Sequence, residues 1–186
     1  GSTQEVYEQY RKEGHLATVL EGARNLVAAK EEAGSSTPHI VFQMLVVKPN
    51  EHQIGEVQAL AKEIGVDEVK LKTAQVYDFV EGNELIPTIS KYSRYYQDHA
   101  GVWHVKNKLR NQCWKLWHAC VITWYGMVVP CCFDKDATYR LGDLREKSFT
   151  SIWKGTSYRQ FRARLLQGRD KIDICTNCTE GCKVWA

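Results

Sequence analysis

Seven cysteines fall in the second half of this 186-residue chain and nowhere else. The first group, CWKLWHACVITWYGMVVPCC, holds Cys113, Cys120, Cys131 and Cys132, and the second, CTNCTEGC, holds Cys175, Cys178 and Cys182. Cys113 and Cys131 are separated by 12 residues, Gly126 and 4 more, and 43 residues later comes the C-x2-C pair Cys175 and Cys178. Four thiolates supplied as two single cysteines and one close pair are enough to enclose an iron–sulfur cluster or a zinc ion. The close pair puts two sulfurs on one centre with little loop entropy, and the distant two lock further segments onto it. An odd cysteine count, without the basic and apolar regions of a signal peptide, favours metal or redox chemistry over a disulfide framework and places the protein in the cytoplasm. The 6 histidines show no paired metal-ligand spacing. His118, between Cys113 and Cys120, is an alternative ligand, with a structural role preferred. No Ser-His-Asp or phosphate-loop pattern offers a catalytic residue, so none is assigned.

The elements that must carry these cysteines read as two modules. With 25 basic against 22 acidic residues and 44% apolar content, the chain is globular and has no bias toward nucleic acid or membrane. No apolar run approaches the roughly 20 residues that span a bilayer. Ser2-Thr3-Gln4-Glu5 has capping-box spacing and starts a helix through about Arg11. Leu16, Val19, Leu20, Ala23, Leu26 and Val27 recur at helical spacing, with Gly34 as the stop. His39 to Val47 is a nearly continuous apolar run that predicts a strand covered on both faces. Asn50 caps a helix ending at Gly65, and Val66 to Val76 supplies a second strand. Helix, strand, helix, strand is the grammar of a parallel βαβ crossover, and two strands alone leave bare edges, as though a larger sheet had been cut. Residues 77–110 read as an irregular connector. Beyond it, His118 to Thr123 and Met127 to Cys131 form a hairpin turned at Gly126. Leu141-Gly142-Asp143 is a turn, and Ser148 caps a short helix. Ser157 and Gln160 open another, with Tyr158, Phe161, Leu165 and Leu166 as its buried face and Gly168 as its stop.

The pattern Cys113-x12-Gly126-x4-Cys131, a gap, then Cys175-x2-Cys178 closely resembles the auxiliary-cluster domain of radical SAM enzymes, called SPASM, or twitch in its one-cluster form. Pro130-Cys131-Cys132-Phe133-Asp134, Leu141-Gly142-Asp143 and Ile152-Trp153 fit it too. Residues 3–76 resemble the last third of the partial (β/α)6 barrel of the same enzymes. The resemblance implies an α/β chain, α+β overall. Residues 1–76 would be the tail of the barrel, 77–110 the connector, and 111–186 a small β-hairpin-plus-helices SPASM/twitch domain. The CxxxCxxC loop that binds the catalytic cluster in these enzymes is absent from the sequence, so the chain reads as a C-terminal portion not expected to cleave S-adenosylmethionine alone.

Carried over residue by residue, the resemblance implies that Cys113, Cys131, Cys175 and Cys178 bind one auxiliary [4Fe–4S] cluster, for electron transfer or substrate positioning. S-adenosylmethionine and a second [4Fe–4S] cluster belong to the full-length parent, a radical SAM oxidoreductase or maturase. Its implied partners are a small-molecule or peptide substrate and an electron donor such as flavodoxin or ferredoxin, with no nucleic acid and no membrane. The competing reading is a non-catalytic four-cysteine zinc module, and material handled in air would carry zinc at the same thiols. Cys120 reads as a core residue, Cys132 as facing away from the centre, and Cys182 as an alternative ligand or a spare thiol. Trp103, Trp114, Trp117 and Trp124 are expected either to exclude water around the cluster or to fill the core. Lys106, Lys108, Arg110, Arg159, Arg162 and Arg164 read as a solvated face, and Arg94 as a contact for an anionic substrate group.

Overall fold

Thr3 adopts an extended conformation and its hydroxyl oxygen accepts the Val6 N–H, which starts helix α1 (Gln4–Tyr10) in the computed structural model. The cap is one residue later than the capping-box spacing suggests, because the Ser2 hydroxyl instead donates to Glu56. The structure describes residues 1–179. They divide into two compact units, one ending at Lys106 and the other beginning at Asn107.

In the first unit, helix α2 (Leu16–Glu32) buries Leu16, Ala23 and Val27, and the chain turns out of it at Gly34, φ +56°. Strand β1 (Val41–Val46), a 3-10 turn at Glu51–Gln53, helix α3 (Ile54–Ile64) and strand β2 (Glu68–Thr73) complete the crossover. β1 and β2 are parallel, with Val41 opposite Glu68 and Val46 opposite Thr73. Helix α3 places Val57 against Met44, Val46 and Leu71, and Ile64 against Ala23 and Val27. It ends at Gly65, whose φ of +88° is cheap only for glycine.

Two expectations fail here. The run from His39 to Val47 is not covered on both faces: Met44, Val46 and Val47 are buried, but Val41 and Gln43 are exposed, so β1 alternates as a one-faced strand does. Asn50 makes no side-chain cap on the following helix. Its Oδ1 accepts the Val47 N–H and its Nδ2 donates to the Leu45 carbonyl, closing the turn behind β1.

Residues 77–106 hold more order than an irregular connector. Strands β3 (Tyr95–Gln97) and β4 (Trp103–Val105) pair antiparallel, and Val76, Ile86 and Tyr95 make a small core of their own. The buried Tyr95 hydroxyl donates to the Val76 carbonyl and accepts the Val76 N–H.

The second unit runs through α4 (Lys115–His118), β5 (Val121–Ile122), β6 (Met127–Val129), β7 (Gly142–Asp143), α5 (Phe149–Trp153), α6 (Thr156–Gly168), a 3-10 turn at Arg169–Lys171, and α7 (Asp173–Thr176). β5, β6 and β7 form one antiparallel sheet in that order. The hairpin turns at Gly126, φ +84°, where the Gly126 N–H donates to Thr123 and the Thr123 N–H to Met127. Its arms are shorter than the sequence suggests, since His118 closes a helical turn instead of opening a strand. Leu141-Gly142-Asp143 is not a turn either: Gly142 and Asp143 form the third strand. Ser148 caps α5 through the Ser151 N–H as expected. Helix α6 begins after Gly155, before Ser157, and buries Tyr158, Phe161 and Leu165, while Leu166 faces solvent. Leu116, Val128, Leu141, Ile152 and Ile172 join them in one core, to which Cys175 belongs. The overall class is α+β, as expected. No helix among the described residues is long and apolar enough to cross a membrane.

Candidate metal centre

Four segments converge on the cysteines, and each is held there by identifiable bonds. Cys113 precedes α4, whose Leu116 is buried in the core, and Cys113 itself packs half-buried against that core. β6 delivers the buried Pro130 and then Cys131. The chain then folds back because the buried Asp134 carboxylate accepts the Thr138 N–H on one oxygen, at 2.8 Å, and the Tyr139 N–H on the other, at 2.9 Å. Cys175 lies in α7 and Cys178 just after it; both are buried, and the Cys178 N–H closes the tight turn onto the Cys175 carbonyl at 3.1 Å. The Asn107 amide donates to the Cys178 carbonyl at 2.7 Å.

Arg169 joins the entry and exit of the motif. Its backbone N–H donates to Asn111 Oδ1 at 2.9 Å, and its guanidinium donates to the Gln112 carbonyl at 3.0 Å, the residue next to Cys113. The side chain is 97% buried, being 3% exposed. It also acts electrostatically on Cys175, favouring the thiolate. Nothing in the cysteine spacing points to Arg169; only its position six residues before Cys175 places it near the motif.

The thiols sense one another. Burial, above all, pushes the Cys131 thiol up to about 11, the Phe133 N–H works in the opposite direction, and Cys132, Cys178 and Cys113 raise it further. Burial pushes Cys175 up to about 12, with Cys178, Cys131 and Cys113 adding to it. Of the expected set, Cys175 belongs to the core of the second unit and Cys113 packs against that core. No disulfide links any two of the described cysteines. Cys132 is exposed, as expected, and Cys120 is half-buried against the core. Cys182 lies outside the described residues.

Around this region the tryptophans do not behave as expected. Trp114 is 72% exposed and Trp124 is 86% exposed, so neither shields the cysteines nor fills the core. Trp114 stacks on His118 instead, which leaves His118 as a partner of the Trp114 ring and carbonyl. The buried core that Cys175 joins is instead built from residues such as Leu116, Val128, Tyr158 and Ile172. Arg162 is not part of a solvated face: its guanidinium lies 4.6 Å from the rings of both Trp153 and Tyr158 and donates to the Leu116 and Trp153 carbonyls. In the first unit, Arg94 Nε donates to the Thr73 carbonyl and hydroxyl, binding β2 to the strand that follows.

The chemistry of the donor set suits an iron–sulfur cluster. Among the described residues, no three His, Cys, Asp or Glu side chains are gathered tightly enough to hold a single ion. Four thiolates can hold either an iron–sulfur cluster or a tetrahedral zinc. The buried Tyr158 hydroxyl, which makes no well-formed hydrogen bond to any described residue, leaves a donor turned toward the thiol region.

A family model described as an iron-sulfur cluster-binding domain, SPASM, matches residues 113–179. Residues 113–179 are thus similar to the members of that family. The resemblance read from the cysteine spacing is thereby borne out, and the SPASM segment coincides with the part of the second unit that carries all six described cysteines. A relative from Pyrococcus furiosus, the tungsten-containing aldehyde ferredoxin oxidoreductase cofactor-modifying protein, is 28% identical over 89% of this chain and 53% of its own length. The chain therefore spans about half the length of that curated relative. A crystal structure of BtrN in an open conformation is 20% identical, covering 84% of this chain and 63% of that one, with a TM-score of 0.35.

Proposed function

We propose that Cys113, Cys131, Cys175 and Cys178 hold one auxiliary [4Fe–4S] cluster in the SPASM domain, in a radical SAM enzyme that oxidises or matures a small-molecule, peptide or cofactor substrate. The observation that carries this reading is that the family model's match spans all four cysteines, of which the buried Cys175 belongs to the core of the second unit and Cys113 packs against it. The cluster would supply a one-electron acceptor or donor, or a fixed iron site against which substrate is placed. This chain's own residues do the rest. The C-x2-C turn anchors two thiolates, Pro130 and Asp134 fix the direction of the third, and Arg169 holds the segment bearing the fourth. Arg169 also offsets part of the negative charge that four thiolates bring into a buried site. The relative's name, with its cofactor-modifying role, supports a maturation substrate as well as a free small molecule. An electron donor such as ferredoxin or flavodoxin completes the scheme.

The experiment is iron and acid-labile sulfide analysis with visible spectra on protein purified and reconstituted without oxygen. About four irons and four sulfides per chain are expected, with loss of the cluster in Cys113→Ala and Cys178→Ala and retention in Cys132→Ala. One zinc without sulfide, after anaerobic reconstitution, would show a structural metal module instead.

A further inference from the structure

Among the described residues of the second unit, Tyr158 is a large side chain whose buried polar atom lacks a clear bond. It projects from α6 into the core and is fully buried, and its hydroxyl oxygen makes no well-formed hydrogen bond to any described residue. A buried phenol in that state costs about 1–3 kcal/mol unless something accepts from it. Its hydrophobic core neighbours include Leu116, Val128, Ile152 and Ile172, with Cys175 in the same core and Cys113 and Cys120 packed against it. Cys120 is the side chain that acts on the hydroxyl most, and Cys131 acts on it as well. The Arg162 guanidinium sits 4.6 Å from the phenol ring, and Trp153 packs on its other contacts with ring centres 4.7 Å apart. A cation over the ring draws electron density from the oxygen and makes the O–H a stronger donor. A phenol titrates at about 10, so the hydroxyl is a proton-bearing donor throughout the neutral range.

We propose that the Tyr158 hydroxyl donates a hydrogen bond to the sulfur shell of the cluster, and that it sets the reduction potential without holding the metal. The inference rests on the cluster reading above. Hydrogen bonds to cluster sulfurs stabilise the more negative, reduced state, so the donor raises the potential. Arg162 acts through Tyr158 and is a positioning residue. Cys120, beside the hydroxyl but outside the ligand set, lines the pocket and does not bind iron.

The test is a redox titration, followed by visible and paramagnetic resonance spectra, of the anaerobically reconstituted full chain in wild type, Tyr158→Phe, Arg162→Gln and Cys120→Ala. Tyr158→Phe is expected to keep the wild-type iron and sulfide content and to lower the reduced-to-oxidised ratio at fixed potential threefold to tenfold. The upper figure corresponds to a negative shift of about 59 mV for a one-electron couple. Arg162→Gln is expected to move the ratio in the same direction by less, and Cys120→Ala to keep its iron. An unshifted potential in Tyr158→Phe at full iron content overturns the inference and leaves the cluster intact. So does loss of most of the iron in that variant, which would make the tyrosine a structural support. A wild-type chain that takes up no iron and sulfide removes the cluster reading itself, and this inference with it.

Discussion

Arg169 spans 57 residues of sequence with one hydrogen bond to the Gln112 carbonyl. At the residue scale this is the costliest side chain to lose, because a buried guanidinium bonded to carbonyls leaves those acceptors bare when it is cut back. Each such charge-assisted bond is worth about 1.5–3 kcal/mol. Arg169→Met is therefore expected to lower unfolding stability by about 3 kcal/mol, read by urea denaturation, and to reduce iron uptake severalfold at equal protein concentration. A variant that unfolds as wild type does would show that the segment before Cys113 is held by other means. Asp143 is the second such residue. Hydrogen bonds from Arg145 first, then the charges of Arg145 and Arg140, hold its carboxyl well below the usual carboxylate range. A depressed folded-state pKa gives stability that is present above the unfolded value, about 3.9, and lost as pH falls through the folded value. Asp143→Asn should thus lower Tm at pH 7, and the gap from wild type should close as melts are repeated below about pH 4. A gap that stays constant with pH would assign the effect to neutral hydrogen bonding.

At the scale of the element, the hairpin and α6 carry the site. Gly126 occupies a positive-φ position, and a Cβ there would meet nothing closer than 3.7 Å, so the restriction comes from the backbone and not from crowding. Gly126→Ala is expected to cost about 1–2 kcal/mol, visible as a lower midpoint in chemical denaturation, with the cysteines still able to take up iron. Helix α6 depends on its apolar stripe. Leu165 is 2% exposed within the core that includes Tyr158 and Cys175. Leu165→Ala should cost about 2–5 kcal/mol and weaken cluster retention, because the same packing positions Tyr158 and the Cys175 turn. Leu166→Ala, on the exposed side of the same helix, should change stability by no more than about 0.5 kcal/mol.

For the molecule as a whole, the second unit is a small core that includes the buried Cys175, with Cys113 and Cys120 packed against it. Small cores of this size gain much of their stability from a bound metal group. A group that binds only the folded state raises Tm through mass action. The anaerobically reconstituted chain should therefore melt at a higher temperature than the same chain after chelation. The first unit should show no corresponding change in proteolytic protection. Equal melting of loaded and stripped protein would mean that the second unit is complete without its cluster.

The sequence by itself determined where the family's cysteine pattern lies, because a C-x2-C turn and a C-x12-G-x4-C hairpin are local devices whose spacing is written in consecutive residues. It also determined the βαβ crossover of the first unit: the 3.6-residue and two-residue periods, with Gly34 and Gly65 as stops, need no distant partner to be legible. Only the tertiary structure decided what depends on residues far apart in the chain. Arg169, Asp134 and Asn107 are polar residues of ordinary kind until folding brings carbonyls or N–H groups from other segments into range. Trp114 and Trp124 are large and apolar enough to belong inside, yet they lie on turns where the backbone carries them outward. Whether β1 is covered on one face or two, and that the Tyr158 hydroxyl is buried, follow from packing between elements. Periodicity along one segment does not contain that information.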